Sequence, residues 1–374
     1  MKPQKSVCIL RSNAVNPDSR VEKEAVTLHE AGYDVHVLAW DRDSDHAASE
    51  EILELYGHRI PITRLGYKAT FGEGFKNIVP YLQFQLGMRR YLKKSRFDII
   101  HACDFDTAFF SRSVVRGKKF VFDIFDFLYS DPKGLLQKCV YHAQNMLINS
   151  ADATIICTED RRRQIKGSRP RRLAVVHNTP MQPIGDVEAL PNTAEDGGRV
   201  KVSYIGILQD YRLLKELASY FSKHPEYEWH VGGFGKYESF FKEYAEKYEN
   251  IRFYGRIPYQ QTLELERRCD INLAIYDPEI DNHKFAAPNK FYESLMLGKP
   301  VMMVRGTGMS EVVSAHGIGQ VIAYSEEGFA EGMEKLVARR GEWEAISQKM
   351  KQIYRQEFSW EIMKERLLDL YAQL

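Results

Sequence analysis

The 374-residue sequence predicts an α/β protein with two domains, each built on a mostly parallel sheet covered by helices. Short β-branched runs alternate with helix-length segments in both halves. A stretch rich in Pro, Gly and acidic residues, 181–199, interrupts this alternation. We therefore expect domains over 1–180 and 200–350, a linker over 181–199, and a C-terminal helix over 351–374 near the domain junction.

The first half contains seven strand-like runs: SVCIL, DVHVLAW, RIPITRL, FDIIHA, KFVFDI, ATIIC and LAVVH. A helix is predicted from Asp18 to Ala31, because Asp favours helix starts and Gly32 favours a stop. Apolar strands that alternate with helices indicate a parallel sheet buried on both faces.

The second half repeats the pattern with six runs: KVSYIG, EWHVGG, IRFYG, DINLAIY, PVMMV and GQVIAY. Residues 326–374 are helical in pattern, with no further strand. Two such domains leave a cleft between them, and open parallel sheets bind ligands beyond the carboxyl ends of their strands. The loops after each strand are therefore the expected functional positions.

Composition points to a folded protein of the cytoplasm. Hydrophobic residues make up 44% of the chain and charged residues 28%. The N-terminus has only a four-residue apolar run, unlike a signal peptide, and no run reaches the roughly 18 apolar residues that span a bilayer. The five cysteines are scattered, which favours buried thiols in a reducing compartment over disulfides or a zinc cluster.

Charge is distributed unevenly. Residues 51–180 hold 22 Lys and Arg against 12 Asp and Glu, a net of +10, although the whole chain is +1. One face of the first half is therefore expected to meet something anionic. Chance and ordinary solvated helix faces are the alternative explanation.

The stretch APNKFYESLMLGKPVMM predicts a short helix over 288–297, with Pro288 in its first turn. Lys290 then lies among the free amide groups of the helix start, whose partial positive charge repels it. An anion bound there removes this objection. The sequence thus predicts a phosphate or nucleotide site, with a surface pair between Lys290 and Glu293, worth about 0.3 kcal/mol, as the alternative.

Two weaker signals lie in the same half. Gly233 belongs to a glycine-rich turn after EWHVGG, and Gly206 permits close backbone approach at the end of KVSYIG. Arg212 or Lys215 could reach a phosphate from the next helix. A plain tight turn and a solvated helix start explain these residues equally well.

Motifs along almost the whole chain resemble glycosyltransferase family 4. They follow in order: NPDSRVEKEAVTLHEAGYDVHVLA, FDIIHACDFDT, FDIFDFLYSD, ADATIICTED, VVHNTP, VKVSYIGIL, NIRFYGRIP, CDINLAIY and PNKFYESLMLGKPVM. The resemblance implies the GT-B fold, in which two Rossmann-like α/β/α domains face a cleft and C-terminal helices cross back to the first domain.

The resemblance implies retaining transfer of a sugar from a nucleoside diphosphate sugar, with UDP favoured over GDP and with no cofactor or obligatory metal. Breaking the sugar–phosphate bond leaves negative charge on the diphosphate, which fixed cations and helix amides stabilise. Glu293 matches the family's ribose-binding glutamate. Lys290 and the amides near Pro288 and Asn289 would hold the diphosphate, with Arg212 as a second cation. The remaining predicted nucleotide-sugar contacts are Gly206, Gly233, Tyr254, Arg256 and Ile257.

On the acceptor side, Asp104 or Asp126 is expected to orient the acceptor and to act in catalysis together with Arg212 and Lys290. The other predicted acceptor contacts are Asp18, Arg20 and His101. Structural carboxylates that cap loops are the alternative explanation for the two aspartates.

The sequence also departs from the family pattern. Phe285 stands where many members have a first glutamate, Phe125 replaces a common histidine, and Ile207 replaces an arginine. Donor-sugar contacts and acceptor chemistry therefore stay open. A non-catalytic sugar-nucleotide-binding scaffold and a sugar-nucleotide epimerase of the same fold remain alternatives.

The basic first half suggests its partners. A glycan or polyprenyl-diphosphate-linked acceptor at an anionic membrane surface would attract basic residues. The stretch GFKNIVPYLQFQLGMRRYLKKSR resembles an interfacial helix, and a helix packed on the sheet with a solvated basic end is the alternative. Nucleic acid is not an expected partner, because no recognition module accompanies the charge.

Overall fold

The structure, a computed structural model, describes residues 4–45, 48–70, 74–181 and 198–374. The chain divides into two units, one comprising Met1–His177 with Met363–Leu374 and the other Asn178–Ile362. The second unit thus continues past residue 350. Of the predicted linker, residues 182–197 lie outside the described residues.

The first unit contains an eight-stranded sheet. Its strands are β1 Ser6–Arg11, β2 Asp34–Asp41, β3 Ser49–Leu55, β4 His58–Gly66, β5 Ile99–Cys103, β6 Lys119–Ile124, β7 Ala153–Ile156 and β8 Leu173–Val175. Their order is β3-β4-β2-β1-β5-β6-β7-β8. Strand β3 pairs antiparallel with β4, and the other neighbours pair parallel.

Strand β3 was not predicted from the sequence. Its sequence, SEEILEL, contains three glutamates and its residues are half-buried or exposed, because it lies at the edge of the sheet. Charged residues are typical of edge strands, where they discourage pairing with other chains. The composition that suits this position therefore masks the strand pattern.

Helices of the first unit are α1 Ser19–Glu30, α2 Ile78–Lys94, α3 Asp104–Arg112, α4 Leu135–Ser150 and α5 Arg161–Gln164, with a 3₁₀ turn at Gly74–Asn77. Helix α1 begins after Asp18, whose carboxylate accepts from the Val21 amide, and ends before Gly32. The helix is therefore one residue shorter at each end than predicted, with Asp18 and Ala31 at its two cap positions. The core is formed by buried residues such as Phe84, Met88 and Phe122.

The second unit contains a six-stranded, fully parallel sheet. Its strands are β9 Val200–Ile207, β10 Tyr227–Phe234, β11 Ile251–Phe253, β12 Ile271–Ala274, β13 Val301–Val304 and β14 Gly319–Ile322. Their order is β11-β10-β9-β12-β13-β14. All six strands were predicted from the sequence, and the two-domain α/β fold is confirmed.

Helices of the remaining chain are α6 Leu214–Lys223, α7 Glu238–Lys247, α8 Tyr259–Arg268, α9 Asn289–Leu297, α10 Ser310–His316, α11 Glu326–Ala338, α12 Trp343–Ile353 and α13 Trp360–Ala372. Single 3₁₀ turns lie at Asp281–Phe285 and Arg340–Glu342, and a π-helical turn lies at Tyr354–Phe358. Within the described residues, no helix has the length and apolar character needed to cross a bilayer.

The end of α13 belongs to the first unit. There the hydroxyl of Tyr371 lies 2.7 Å from His101 Nδ1, and both residues are fully buried. The first unit therefore consists of two segments of chain that are far apart in sequence.

Candidate functional site

Lys290 lies at the start of α9. The helix begins at Asn289, one residue later than predicted, because Pro288 has an extended backbone and takes the N-cap position. The Lys290 side chain reaches the carboxyl end of β9, where a Cβ added to Gly206 would lie 2.6 Å from Nζ. The same Nζ lies 5.1 Å from the ring centre of Tyr204.

The Lys290 ammonium keeps its charge. Burial by itself lowers its pKa, but Tyr276, Tyr204, Glu293 and Glu266 together raise the pKa above its ordinary value. The α9 amides add their own partial positive charge at this point. The carboxyl edge of this sheet thus carries a fixed cation beside a helix N-terminus.

Arg212 lies in the loop after β9, between two residues in left-handed backbone conformations, Tyr211 (φ 66°) and Leu213 (φ 54°). Such conformations cost energy for residues other than glycine and are common at functional sites. The Arg212 guanidinium carbon lies 4.0 Å from the centre of the Tyr276 ring. Its Nη1 lies 3.0 Å from His283 Nε2.

His283 determines the orientation of Arg212. Its Nδ1 lies 2.8 Å from the carbonyl oxygen of Asp277, so Nδ1 carries the proton and Nε2 accepts from Arg212. Both Arg212 and Lys290 lower the pKa of Tyr204, which burial raises. The structure therefore brings the two predicted cations around one buried phenol.

Two buried glutamates lie next to Lys290. Glu293 on α9 is 4% exposed and Glu266 on α8 is 1% exposed. Burial and the neighbouring Glu293 raise the pKa of Glu266 well above its ordinary value, with Lys290 opposing them. The neutral form of Glu266 is therefore favoured more than that of a glutamate in water. Glu266 was not predicted from the sequence, because a glutamate in a helix with several other charged residues gives no indication that it is buried.

Gly233 contacts the backbone of Gly206. It has φ 133°, and a Cβ at this position would overlap the Gly206 carbonyl group. Its amide donates to Gly255 O at 2.7 Å. Glycine is therefore required here by the close approach of β9 and β10.

The other predicted nucleotide contacts lie near the ends of the neighbouring strands. The Tyr254 hydroxyl is 2.8 Å from His230 Nδ1, and Ile257 packs beside Tyr254 in a small apolar cluster. Arg256 is exposed, with its guanidinium carbon 5.0 Å from the centre of the Phe234 ring. Asn289 is also exposed, and its Oδ1 accepts from Asn178 Nδ2 at 2.9 Å.

In the first unit, Asp104 lies at the carboxyl end of one strand and its carboxylate contacts residues at the carboxyl ends of two others. It begins α3 directly after β5 with φ 68°. Its Oδ2 lies 2.5 Å from Arg11 Nη1 at the end of β1, and its Oδ1 accepts from the Phe125 and Asp126 amides, at 3.0 and 3.1 Å, after β6. Burial raises its pKa to about 6, although Arg11 opposes the shift.

Asp126 and Asp18 differ in their availability. The Asp126 side chain is 60% exposed and accepts from Arg161 Nη2 at 3.2 Å. Asp18 accepts from Arg11 Nε at 2.7 Å and from Asn13 at 2.8 Å, besides capping α1. Asp126 therefore presents a carboxylate to solvent, whereas Asp18 holds Arg11 in place.

Arg20 and His101 face the interior of the unit. Arg20 is 3% exposed and donates to Asp123 through two nitrogens, at 2.7 and 3.0 Å. Burial raises the pKa of Asp123, but Arg20 and His101 outweigh it and hold the pKa at about 2. His101 is fully buried, with Nε2 3.5 Å from both Glu24 and Asp123. The predicted acceptor role of Arg20 and His101 stays a prediction, and neither side chain is open to solvent.

Among the described residues, one buried group has metal-ligand spacing. Its members, His101, Cys103 and Asp123, have ligand atoms within 4.8 Å of one another. Arg20 already pairs with Asp123, and this positive charge disfavours a further cation there. The group is therefore best explained as part of a buried ion-pair network.

Phe125, which replaces the family's histidine, has an aromatic role. The guanidinium carbons of Arg11 and Arg20 lie 4.2 and 4.9 Å from its ring centre. Cation–π contacts of this kind stabilise both guanidinium groups. Sequence reasoning missed Arg11, although its place directly after the strand SVCIL could have indicated it.

Two family descriptions match the sequence. Residues 17–179 match the glycosyl transferase 4-like domain, and residues 190–356 match glycosyl transferases group 1. A comparison with curated proteins gives no significant match.

Solved structures with the same fold cover the whole chain. Sucrose-phosphate synthase from Thermosynechococcus elongatus has a TM-score of 0.75 at 14% identity, with 99% of each chain covered. Anabaena HepE in complex with UDP and glucose has a TM-score of 0.71 at 14% identity, covering 99% of this chain and 100% of that one. The lipopolysaccharide outer core galactosyltransferase WaaB has a TM-score of 0.63 at 13% identity, covering 99% and 100%.

These likenesses establish the GT-B architecture, and the two family matches together extend over most of the sequence. They agree with the resemblance to glycosyltransferase family 4 seen in the motifs. The chain belongs to the GT-B glycosyltransferases, with a glycosyl transferase 4-like domain followed by a glycosyl transferases group 1 domain.

Proposed function

We propose that this enzyme transfers a sugar from a nucleoside diphosphate sugar, with UDP favoured over GDP, to a glycan or a polyprenyl-diphosphate-linked acceptor. The observation that carries the proposal is the Lys290 ammonium at the N-terminus of α9, beside Gly206 and near Arg212. A diphosphate fits this place because two cations and free helix amides act on the same charge.

The chemistry we propose retains the anomeric configuration. The bond between the anomeric carbon and the diphosphate oxygen breaks, and the acceptor oxygen bonds to the same face of the sugar. The acceptor proton passes to the departing phosphate. Lys290 and Arg212 stabilise the negative charge that develops on the diphosphate, so no obligatory metal is needed.

Glu293 is proposed to accept hydrogen bonds from the ribose hydroxyls. On the acceptor side, Asp126 is the better of the two predicted orienting carboxylates, because its side chain is 60% exposed. Asp104 helps to hold Asp126 in place, because the backbone amide of Asp126 donates a hydrogen bond to the Asp104 carboxylate at 3.1 Å. Arg20 and His101 are proposed to act indirectly, by holding Asp123 at the carboxyl end of β6.

The preference for UDP and the role in surface glycans are supported by fold relatives. HepE was solved with UDP and glucose, and WaaB is described as a lipopolysaccharide galactosyltransferase. We propose a cytoplasmic enzyme that works at the inner face of the plasma membrane, where polyprenyl-linked acceptors are held. The basic first half fits this setting.

A thermal-shift panel of UDP, GDP, ADP, CDP and their sugars tests the donor, with the largest shift expected for UDP compounds. Labelled donors should then yield transfer to a glycan acceptor, or slow hydrolysis, in the presence of EDTA. Binding without either reaction, for every donor and acceptor, would indicate a scaffold. A changed sugar still attached to its diphosphate would indicate an epimerase.

A further inference from the structure

A groove of about 740 Å³ lies on the first unit where α2, α3 and α4 meet. Its walls combine apolar and basic side chains, among them Leu86, Phe109, Met146, Arg89, Arg112 and Arg116. We propose that this groove and the exposed apolar residues of α2 and α4 form a docking surface for a membrane of anionic phospholipids. The proposal rests on the membrane association in the proposed function and identifies the surface that makes the contact.

Exposed apolar residues are concentrated on this part of the chain. Of fifteen large hydrophobic side chains exposed among the described residues, ten lie within 78–146. On α2, Val79, Leu82 and Leu86 are 64, 43 and 50% exposed and follow one another at helical spacing. Soluble proteins seldom leave such rows uncovered, and they commonly mark interaction sites.

Helix α4 continues the apolar character. Leu135 and Leu136 in its first turn are 81 and 75% exposed, and Met146 beside the groove is 65% exposed. A bilayer interface accepts side chains of this kind from an amphipathic helix lying in its plane.

The basic residues of the groove have neutral partners. Arg89 Nη1 donates to the Phe110 carbonyl and the Ser113 hydroxyl, both at 2.8 Å. Arg112 Nη2 donates to the Ser150 carbonyl at 2.8 Å. Across the described chain, no carboxylate pairs with these arginines or with Arg116.

The two acidic residues of α3, Asp104 and Asp106, lie in its first turn, whereas the groove is lined by the other end of that helix. Neither α2 nor α4 contains an Asp or Glu, whereas α2 ends with Lys93 and Lys94. A groove whose charged lining residues are all arginines, beside exposed apolar side chains, complements anionic headgroups and lipid tails together. An acidic protein would match the charge but would leave the exposed leucines uncovered.

Flotation with phosphatidylcholine vesicles, with and without phosphatidylglycerol, tests the proposal on the full chain without donor. Wild-type protein should float with the anionic vesicles and be released as salt rises. Arg116→Glu, and separately Leu86→Gln combined with Met146→Gln, should weaken this binding by at least about fivefold. These residues are at the surface, so the thermal shift caused by UDP should be unchanged.

Matched controls distinguish the groove from general charge and apolarity. Lys242→Glu, at an exposed position of α7, makes the same change in net charge as Arg116→Glu. Ile52→Gln is the control for the apolar substitutions, because it removes an apolar side chain, 44% exposed, at the edge of the first sheet. Both should bind vesicles like wild type. Equal binding to neutral vesicles, no vesicle binding, or normal binding by the groove variants would overturn the proposal. Vesicle binding without sugar transfer would instead count against the proposed function alone.

Discussion

The ammonium group of Lys290 lies against Gly206, so close that a Cβ at position 206 would be 2.6 Å from Nζ. The two residues are 84 positions apart in sequence and belong to α9 and β9. The absence of a side chain at position 206 is therefore what allows the cation to reach the carboxyl edge of the sheet.

Gly206→Ala should weaken UDP binding with little effect on stability. The added Cβ meets only the flexible end of Lys290, which moves aside and carries its charge away from the diphosphate. We expect a loss of about 1 to 3 kcal/mol in UDP affinity by calorimetry and a change in Tm within about 2 °C.

Gly233→Ala is the matched comparison. Its Cβ would meet the Gly206 carbonyl, and its φ of 133° disfavours any side chain. This variant should lose on the order of 1 to 3 kcal/mol of folding stability. If Gly206→Ala bound UDP normally, the position of Lys290 over Gly206 would have no part in nucleotide binding.

Lys290→Ala should weaken UDP binding by about 1 to 3 kcal/mol, the range for a lost hydrogen bond to a charged group. Uridine, which has no phosphate, should bind equally to both proteins. Lys284→Ala, in the exposed turn before α9, serves as the control. Unchanged UDP affinity of Lys290→Ala in calorimetry would rule out the phosphate role.

Glu293→Gln should weaken UDP binding by about 1 to 3 kcal/mol, because a side-chain amide oxygen accepts hydrogen bonds from the ribose hydroxyls less strongly than a carboxylate does. The loss should shrink for 2′-deoxy-UDP, which lacks one of those hydroxyls. Glu266→Gln should change both stability and affinity little, because burial and Glu293 raise the pKa of Glu266 and favour its neutral form, and glutamine has a similar shape. A loss that is the same for UDP and 2′-deoxy-UDP would contradict a contact with the 2′-hydroxyl.

Asp104 should make the stability of the first unit pH-dependent. Its pKa rises from 3.8 to about 6 on folding, so the folded protein binds this proton more tightly than the unfolded chain. Its contribution to the free energy of unfolding therefore falls as pH rises from about 4 to about 6, by at most about 3 kcal/mol, and then stays constant.

Urea titrations of wild type and Asp104→Asn between about pH 4 and 7.5 check this. The excess stability of wild type over the variant should decrease up to about pH 6 and level off above it. A difference that does not vary with pH would show that Asp104 has the same proton affinity in both states.

Some residues of the candidate site could be predicted from the sequence and others could not, and the difference has physical causes. Lys290 was found because its charge conflicts with the helix start, which is a local property. Glu266 and His283 were missed, because their burial and orientation depend on contacts between distant elements. Local patterns carry no information on such contacts.

Burial of the first sheet on both faces explains why the solvent exposure of the acceptor-side residues could not be predicted. All five residues of β5 are buried, so the alternation of a strand gives no indication of which side chains reach solvent. His101 was assigned to the acceptor from its place near the strand end, yet it lies inside, against Tyr371. The edge strand β3 was missed for the opposite reason, since its glutamates hide the pattern.

The contact between His101 and Tyr371 also constrains the order of events during synthesis. Domains generally fold as they emerge from the ribosome, the N-terminal one first. Here residues 1–177 emerge long before residues 363–374, which complete the same unit. Until Tyr371 arrives, His101 Nδ1 lacks its partner and the Tyr33 ring lacks its edge-on neighbour. The second unit is therefore made, and free to fold, while the first is still incomplete.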